Sequence, residues 1–412
     1  MKILILGYGV RGRAYAEYAL AHADEFEIAG IADPLLETSA APVFASYEDA
    51  LAADTGAEAV VVALPDALHK DATLASLAKG LHVLLEKPVG CSWAECEEIR
   101  AARSASGCAV LTCYVLRYSN YYRALQEVLR SGVAGDITSI HHLVAIGHAK
   151  AAHAFCRGNW AREEDGTGTL VQKCSHDFDL IVWWTGSRRL KRMASYGSLS
   201  HWRPENKPPR AAARCIDCPV RSTCPFDAVR LYRDETALRY HFPDASDAAM
   251  DEVVANSRYG ECVYLGKNDS VDHQTTLMEF EGGLTVTLEM EAYSKERRRM
   301  THFYGTRAEI VADGEKIVVK PFVGEERVIT PAQPAGAHGG GDRAVMAAFY
   351  NLVKRTSPAR YAALLDSALE SHALAFRAEE SRKQRAVGSW QEPNATTVEE
   401  HFEGPVISHQ DT

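Results

Sequence analysis

The chain has 412 residues; 45 Lys and Arg against 55 Asp and Glu give a formal charge of −10, and 46% of residues are hydrophobic. At about 100–200 residues per domain this globular composition predicts two domains, each able to bury a core, and excludes collagen-like, coiled-coil and wholly disordered chains. An acidic balance without Lys/Arg blocks argues against nucleic acid or an anionic membrane as main partner, yet leaves room for a small anionic ligand in a local pocket.

The opening MKILILGYGVRGR carries a short apolar run that ends in glycines and arginines, unlike a secretory signal, and no later stretch reaches the 18 or so apolar residues of a membrane span. A soluble, cytoplasmic protein is expected, in which the ten cysteines are reduced thiols or metal ligands rather than a disulfide framework.

The first third alternates apolar runs with helical periods. Strands are read at 2–7, 27–33, 59–65, 82–88 and 109–114, and helices at 10–22, 66–80 and 93–107. Continuously apolar strands separated by helices imply a doubly wound parallel sheet covered on both faces. From about residue 119 the pattern changes to alternating strands at 137–147, 189–199, 275–280, 284–291, 300–305 and 316–319, with helices at 122–131 and 175–185, as in an α+β domain with a large open, mainly antiparallel sheet. Two Ala- and Leu-rich helices at 342–355 and 359–383 follow the breaker stretch PAQPAGAHGGGD. The division expected is a dinucleotide-binding domain over 1–118, a substrate and oligomerisation domain over 119–385 with a Cys-rich insertion at about 202–265, and a tail over 386–412.

Gly7, Gly9 and Gly12 form GxGxxG after the first strand and open the first helix. The first glycine permits a tight turn, the second lets backbone approach a pyrophosphate, and the third allows close helix packing, with Val10 and Arg11 at the anion-favouring helix start. Asp33 ends the second strand, where a carboxylate binds ribose hydroxyls; with Pro34 and Leu35 next, no arginine awaits a 2′-phosphate, which favours NAD over NADP. LPDALH (Leu64, Pro65, His69) and EKPV (Glu86, Lys87) end later strands at the same ligand-binding edge.

With GYGVRG, Asp33, P-x3-H at Pro65 to His69, EKP, and H-x2-D at His176 and Asp179, the sequence resembles the Gfo/Idh/MocA family (glucose–fructose oxidoreductase, inositol dehydrogenase, rhizopine catabolism) over residues 1–380. The resemblance implies a Rossmann domain followed by a domain on a large open sheet, with Lys87 beside nicotinamide and substrate and His176 on the substrate hydroxyl. Hydride transfer from a secondary alcohol needs a base at the hydroxyl, a role open to a crowded lysine and a neutral histidine. Asp179, one turn on, would orient His176, or else cap or solvate. The family's usual aspartate four residues before the histidine is here Gln172, followed by Lys173, which becomes a candidate second base or anchor for an anionic group.

For the substrate side, HHLVAIGHAKAAHAFCRGNW offers His148, His153, Arg157, Asn159 and Trp160 for hydroxyl or carboxylate recognition and for stacking on a sugar, unless it merely covers the sheet. Tyr114, Arg117 and Tyr118 point to the same crevice in the resembling family, and Asp272, His273 and Gln274 are either pocket residues or a strand-start turn. Cys215-x2-Cys218 and Cys224 have structural-zinc spacing in a segment with little core of its own; Cys262 is the expected fourth ligand and Cys174 its rival, while unligated thiols, an iron–sulfur cluster or a disulfide remain open. A nucleic-acid-binding knuckle would need a basic domain.

The sequence therefore predicts a homo-oligomeric NAD-dependent oxidoreductase, its NAD either held tightly or released each turnover, that acts at a secondary alcohol carbon of a sugar, sugar acid, polyol or glycoside. A redox-neutral glycosidase that borrows and returns the hydride is the second reading, and a non-enzymatic NAD-linked regulator the third.

Overall fold

The computed structural model describes residues 1–384 and 388–389, apart from 187, 235, 240, 243–245, 335–336 and 357–358. The expected tail lies outside the described residues except for 388–389.

Six parallel strands, β1 (Lys2–Leu6), β2 (Glu27–Ala32), β3 (Val43–Phe44), β4 (Ala59–Val62), β5 (His82–Leu85) and β6 (Val110–Thr112), form a sheet in the order β3-β2-β1-β4-β5-β6. Runs such as AVVV in β4 are buried along their whole length because helices cover both faces. Four helices connect these strands, α1 (Val10–Ala21), α2 (Tyr47–Ala52), α3 (His69–Ala78) and α4 (Trp93–Ser106). Ser46 and Ser92 cap α2 and α4 by accepting from the third amide on, and Gly107 ends α4 in the left-handed conformation that glycine adopts without strain. The strand order reverses between β1 and β4, so the segments after β1, β4 and β5 open onto one crevice.

The second sheet has the order β14-β13-β12-β11-β7-β10-β9-β8-β15: β7 (Ile137–Ala145), β8 (Leu190–Ser198), β9 (His273–Phe280), β10 (Thr285–Glu291), β11 (Arg298–Gly305), β12 (Ala308–Ala312), β13 (Ile317–Pro321), β14 (Arg327–Ile329) and β15 (Gly388–Ser389). Only β7 and β10 pair in parallel; the other neighbours are antiparallel. One face alternates into a core where Met278, Phe280, Val286, Leu288 and Phe303 join Phe178 and Ile181. The helices of this part are α5 (Asn120–Arg130), α6 (His148–Ala151), α7 (Gly168–Thr185), α8 (Ala228–Asp234), α9 (Thr236–Arg239), α10 (Asp247–Asn256), α11 (Gly341–Arg355) and α12 (Ala359–Gln384).

Several elements differ from the sequence reading. Helix α7 starts at Gly168, not Ser175, because its first turns are written in Gly, Thr and Gln rather than in an apolar stripe. Residues 148–157, read as a loop, form α6 and a π-helical turn over Ala152–Arg157. The insertion holds α8 and α10 around a small core of Leu231, Tyr232, Met250 and Val254, segments too short to show a period. Most consequentially, α11 and α12 return to the first sheet: Val345, Met346 and Phe349 pack on one of its faces, Leu365 and Leu369 on the other, so a linear division at 118 leaves part of the first domain's cover at the far end of the chain.

Candidate active site

The turn after β1 is built for close backbone approach. Gly7 has φ +91°, and a Cβ there would lie 2.4 Å from the Ala63 carbonyl oxygen; a Cβ on Gly12 would lie 1.9 Å from that of Gly7. A Cβ on Gly9 would meet nothing within 4 Å, and α1 begins there with no side-chain cap, leaving amides and open space where a pyrophosphate docks. Asp33 accepts from the Tyr8 amide at 2.7 Å and the Leu35 amide at 2.9 Å, which fixes the carboxylate beside the turn with lone pairs to spare for ribose hydroxyls. These residues fit a dinucleotide. Val10 stands at the start of α1, half-buried.

Five other expected cofactor residues act on the frame. Arg11 does not face the turn: it donates to Glu86 Oε1 at 2.5 Å, to Tyr15 Oη at 2.5 Å and to Asp342 Oδ1 at 2.8 Å. Glu86, buried and also bonded by Tyr15, is held below the usual carboxylate range, since Arg11 and these bonds outweigh its burial. The His69 ring lies 2.6 Å from Pro88 O and 2.9 Å from Leu64 O, tying the segments after β4 and β5 together, with Pro65 opening the turn between Leu64 and His69.

Lys87 leaves β5 toward α7. Its ammonium donates to the Gln172 main-chain oxygen at 2.8 Å and to Gln172 Oε1, while Gln172 Nε2 and the Trp160 indole both donate to Asp66 Oδ2, at 2.7 and 3.1 Å. Burial lowers the Lys87 pKa, with Asp66 and Glu86 opposing. One turn beyond Gln172, His176 is 7% exposed with no partner on Nδ1; its ring centroid lies 5.9 Å from that of Tyr114 and 5.8 Å from that of His338. Burial, then the Lys87 charge, holds its pKa well below the usual histidine value, so the ring stays neutral and can share a hydrogen bond with a hydroxyl.

Asp179 does not orient His176. It is ion-paired with Arg117 at 2.6 Å and accepts from Ser371 of α12 at 3.2 Å, and burial pushes its carboxyl up to about 6. Arg117 is thereby taken from the substrate as well; it lies over the Trp183 ring, 5.7 Å from its centroid. Tyr114, 4% exposed, bonds His372 of α12, whose Nε2 accepts from the Val89 amide at 2.8 Å.

The region around Lys173 is cationic. Lys173 has no hydrogen bond or ion pair among the described residues, and burial, then Arg299 and Arg297, lower its pKa to about 7. Lys150 of α6 lies 2.6 Å from His241 Nε2 and is also lowered to about 7, by burial and then by Arg297, Lys173 and Lys87. Arg299 grips Asp177 at 2.5 and 3.0 Å, and the His142 ring is 2.8 Å from the same carboxylate. Lys150, Arg297 and Arg299 went unassigned from sequence, although the KERRRM run that opens β11 was a usable signal for the two arginines.

The other substrate candidates mostly hold structure. The His153 ring is buried, 2.7 Å from Tyr232 Oη and stacked on His241 and Tyr259. Arg157 donates to Glu261 O and Phe226 O, both at 2.7 Å, and to Cys215 Sγ at 3.5 Å, pinning the insertion. His148 lies near Ser294 O at 3.2 Å, and Arg258 donates to Asn159. Tyr118 is half-buried after β6. Asp272 gathers the Ser200 and His201 amides and the Tyr293 hydroxyl as a strand-start turn, with His273 beside it; Gln274 bonds Ser195.

Cys215, Cys218, Cys224 and Cys262 line one small cavity and are free thiols, whereas Cys174 is buried in the core against the second sheet. Among the described residues no group of three or more His, Cys, Asp or Glu side chains is closed to metal-holding distance, and no helix is long and apolar enough to cross a membrane.

Residues 1–114 match the NAD-binding Rossmann fold domain of the Gfo/Idh/MocA oxidoreductase family, and residues 126–387 its C-terminal alpha/beta domain. The chain is 25% identical over 301 residues to YteT, a Bacillus subtilis (strain 168) protein named as an oxidoreductase, covering 69% of each chain. It is 26% identical over 204 residues to the 2,7-anhydro-N-acetylneuraminate hydratase of Escherichia coli (strain K12), covering 48% of this chain and 54% of that one. Its fold is similar to that of a scyllo-inositol dehydrogenase from Lactobacillus casei solved with NAD(H) and scyllo-inositol, with TM-score 0.64, 17% identity, and 94% and 98% of the two chains covered. By both domains, the chain belongs to the Gfo/Idh/MocA oxidoreductase family.

Proposed function

We propose that the protein is an NAD-dependent dehydrogenase of an anionic sugar, sugar acid or polyol, acting at a secondary alcohol carbon. The observation that carries this reading is the juxtaposition of Lys87, at the crevice edge of the first sheet, with Gln172 and His176 on one face of α7. Gly7, Gly9, Gly12 and Asp33 would hold NAD, which when bound supplies the hydride acceptor. Lys87 in its neutral form takes the hydroxyl proton as the carbinol C–H bond breaks, and the C=O bond forms from the O–H pair. Gln172 accepts from the lysine and so aims it; Asp66 and Trp160 keep the amide from turning over. His176, neutral and unpartnered at Nδ1, holds the substrate hydroxyl by a hydrogen bond, and the proton rests on Lys87.

An anion in the substrate is supported by Lys150 and Lys173, whose charged forms burial and the nearby Arg297 disfavour and a carboxylate or similar group would favour. The redox-neutral glycosidase is the second reading, favoured by the same two lysines: a group of pKa about 7 next to a transient ketone can remove the adjacent acidified C–H proton.

The test is absorbance at 340 nm with NAD and a panel of polyols, neutral sugars, uronic acids and aryl glycosides, with aglycone release followed in the same wells. NADH growth on acidic members supports the first reading. NAD-dependent aglycone release without NADH replaces it with the second, and neither signal refutes both.

A further inference from the structure

Outside the crevice, the four cysteines of the insertion pose a separate question. Residues 207–227 contain no helix or strand, yet hold buried Cys215, Phe226 and Asp227. Their shape comes from turns: the Cys218 amide donates to Cys215 O at 3.2 Å, and the Cys224 amide to Arg221 O at 3.3 Å. A backbone bridge between Arg214 and Glu261 then brings in the distant fourth cysteine, with the Cys215 amide on Gly260 O at 2.8 Å and the Cys262 amide on Ala213 O at 2.9 Å. All four cysteines thus line one cavity of about 20 Å³, room for a single ion or water.

The side chains around that cavity carry more positive than negative charge. Arg157, Arg214 and Arg221 line it, with Asp227 opposite Arg221 at 3.8 Å. Arg157 is 4% exposed and reaches Cys215 Sγ at 3.5 Å. Of the three, Arg157 is buried and donates to a cysteine sulfur, whereas Arg214 also donates to Val254 O and Ser257 O and the half-buried Arg221 faces Asp227. A divalent ion held by four thiolates carries two negative charges in excess, which is what these arginines match, and N–H donation to sulfur is how proteins steady such thiolates.

We propose that Cys215, Cys218, Cys224 and Cys262 bind one zinc ion, tetrahedrally, and that the ion holds the insertion together. Binding draws the knuckle at 215–218, Cys224 and the turn at 262 inward to coordination distance, with one thiol proton released for each thiolate formed. Through Arg157, which ends the π-helical turn following Lys150, the metal also steadies the wall of the crevice that carries that lysine. The site stands apart from the reacting groups and does not depend on which sugar is used.

Elemental analysis of full-length protein purified without added metal or chelator reads about one zinc per chain, and titrating its thiols with p-mercuribenzoate in the presence of a zinc-sensitive dye releases that zinc. Cys218→Ser with Cys224→Ser lowers the content to none, while Cys108→Ser leaves it unchanged. Zinc-free wild-type protein, iron in place of zinc, or zinc retained in the double variant overturns the assignment. The wild-type reading does not depend on the variants folding.

Discussion

Arg117 and Asp179 are paired at 2.6 Å, with side chains 13% and 2% exposed, and the guanidinium also donates to the Asp179 main-chain oxygen at 3.0 Å. This bond ties α7 to the segment just after β6, where the chain passes from the first sheet toward the second. Removing one member of such a buried pair strands the other, at a cost of about 3–5 kcal/mol. Arg117→Met is therefore expected to lower the melting temperature sharply while leaving the KM of the remaining folded enzyme near wild type. A selective rise in KM with unchanged melting would return Arg117 to the substrate.

The glycines separate folding from cofactor binding. Gly12→Ala drives a methyl into the Gly7 carbonyl and should abolish folding or strip the domain of ordered structure. Gly9→Ala meets open space and should melt as wild type does, but its methyl occupies the approach of the pyrophosphate and should weaken NAD binding about tenfold or more. Fluorescence titration with NAD beside thermal melting checks both.

Lys87→Ala is expected to lower kcat about 10²–10⁴-fold with NAD affinity little changed, since the lysine acts on the proton rather than on cofactor binding. Gln172→Leu removes its aiming partner and leaves Asp66 with one donor fewer; a smaller loss of kcat and a shifted pH profile should follow. Equal loss of NAD affinity in both variants would contradict the assignment.

Lys173 and Lys150 sit at about 7 when folded against about 10.4 in an unfolded chain. Between those values the unfolded chain binds more protons, so stability should rise as pH rises above 7. Buried thiols and tyrosines held above their ordinary values, such as Cys113 and Tyr114, act in the opposite direction above about pH 9. The lysine signal is thus clearest from pH 7 to 9. Chemical denaturation across that window should show a positive slope that Lys173→Met reduces; an unchanged slope would mean the lysine stays charged.

What could be read from the chain follows its locality. GxGxxG, Asp33 and EKP announce themselves because turn, helix start and strand end are neighbours in sequence, and the parallel sheet shows in its unbroken apolar runs. Arg11, Arg117, Asp179 and Arg157 misled for the opposite reason: each is spent on a partner far along the chain, and a charged residue near a motif looks the same whether it faces a ligand or an ion pair. His338 and His372 carry no local pattern at all; they reach His176 and Tyr114 only because α11 and α12 fold back. The strands β12 and β14 were missed as short pieces late in the second sheet, and α7 was truncated where Gly and Thr hide its first turns.

The return of α11 and α12 has a consequence for biosynthesis. A ribosome that has released only the first 118 residues presents a nucleotide-binding sheet with both greasy sides partly bare, lacking Phe349 on one and Leu369 on the other. Asp342, which steadies Arg11 behind the glycine turn, and His372, which receives the Val89 amide, are also still to be made. The nascent domain can complete its cofactor pocket only once α11 and α12 have also been made.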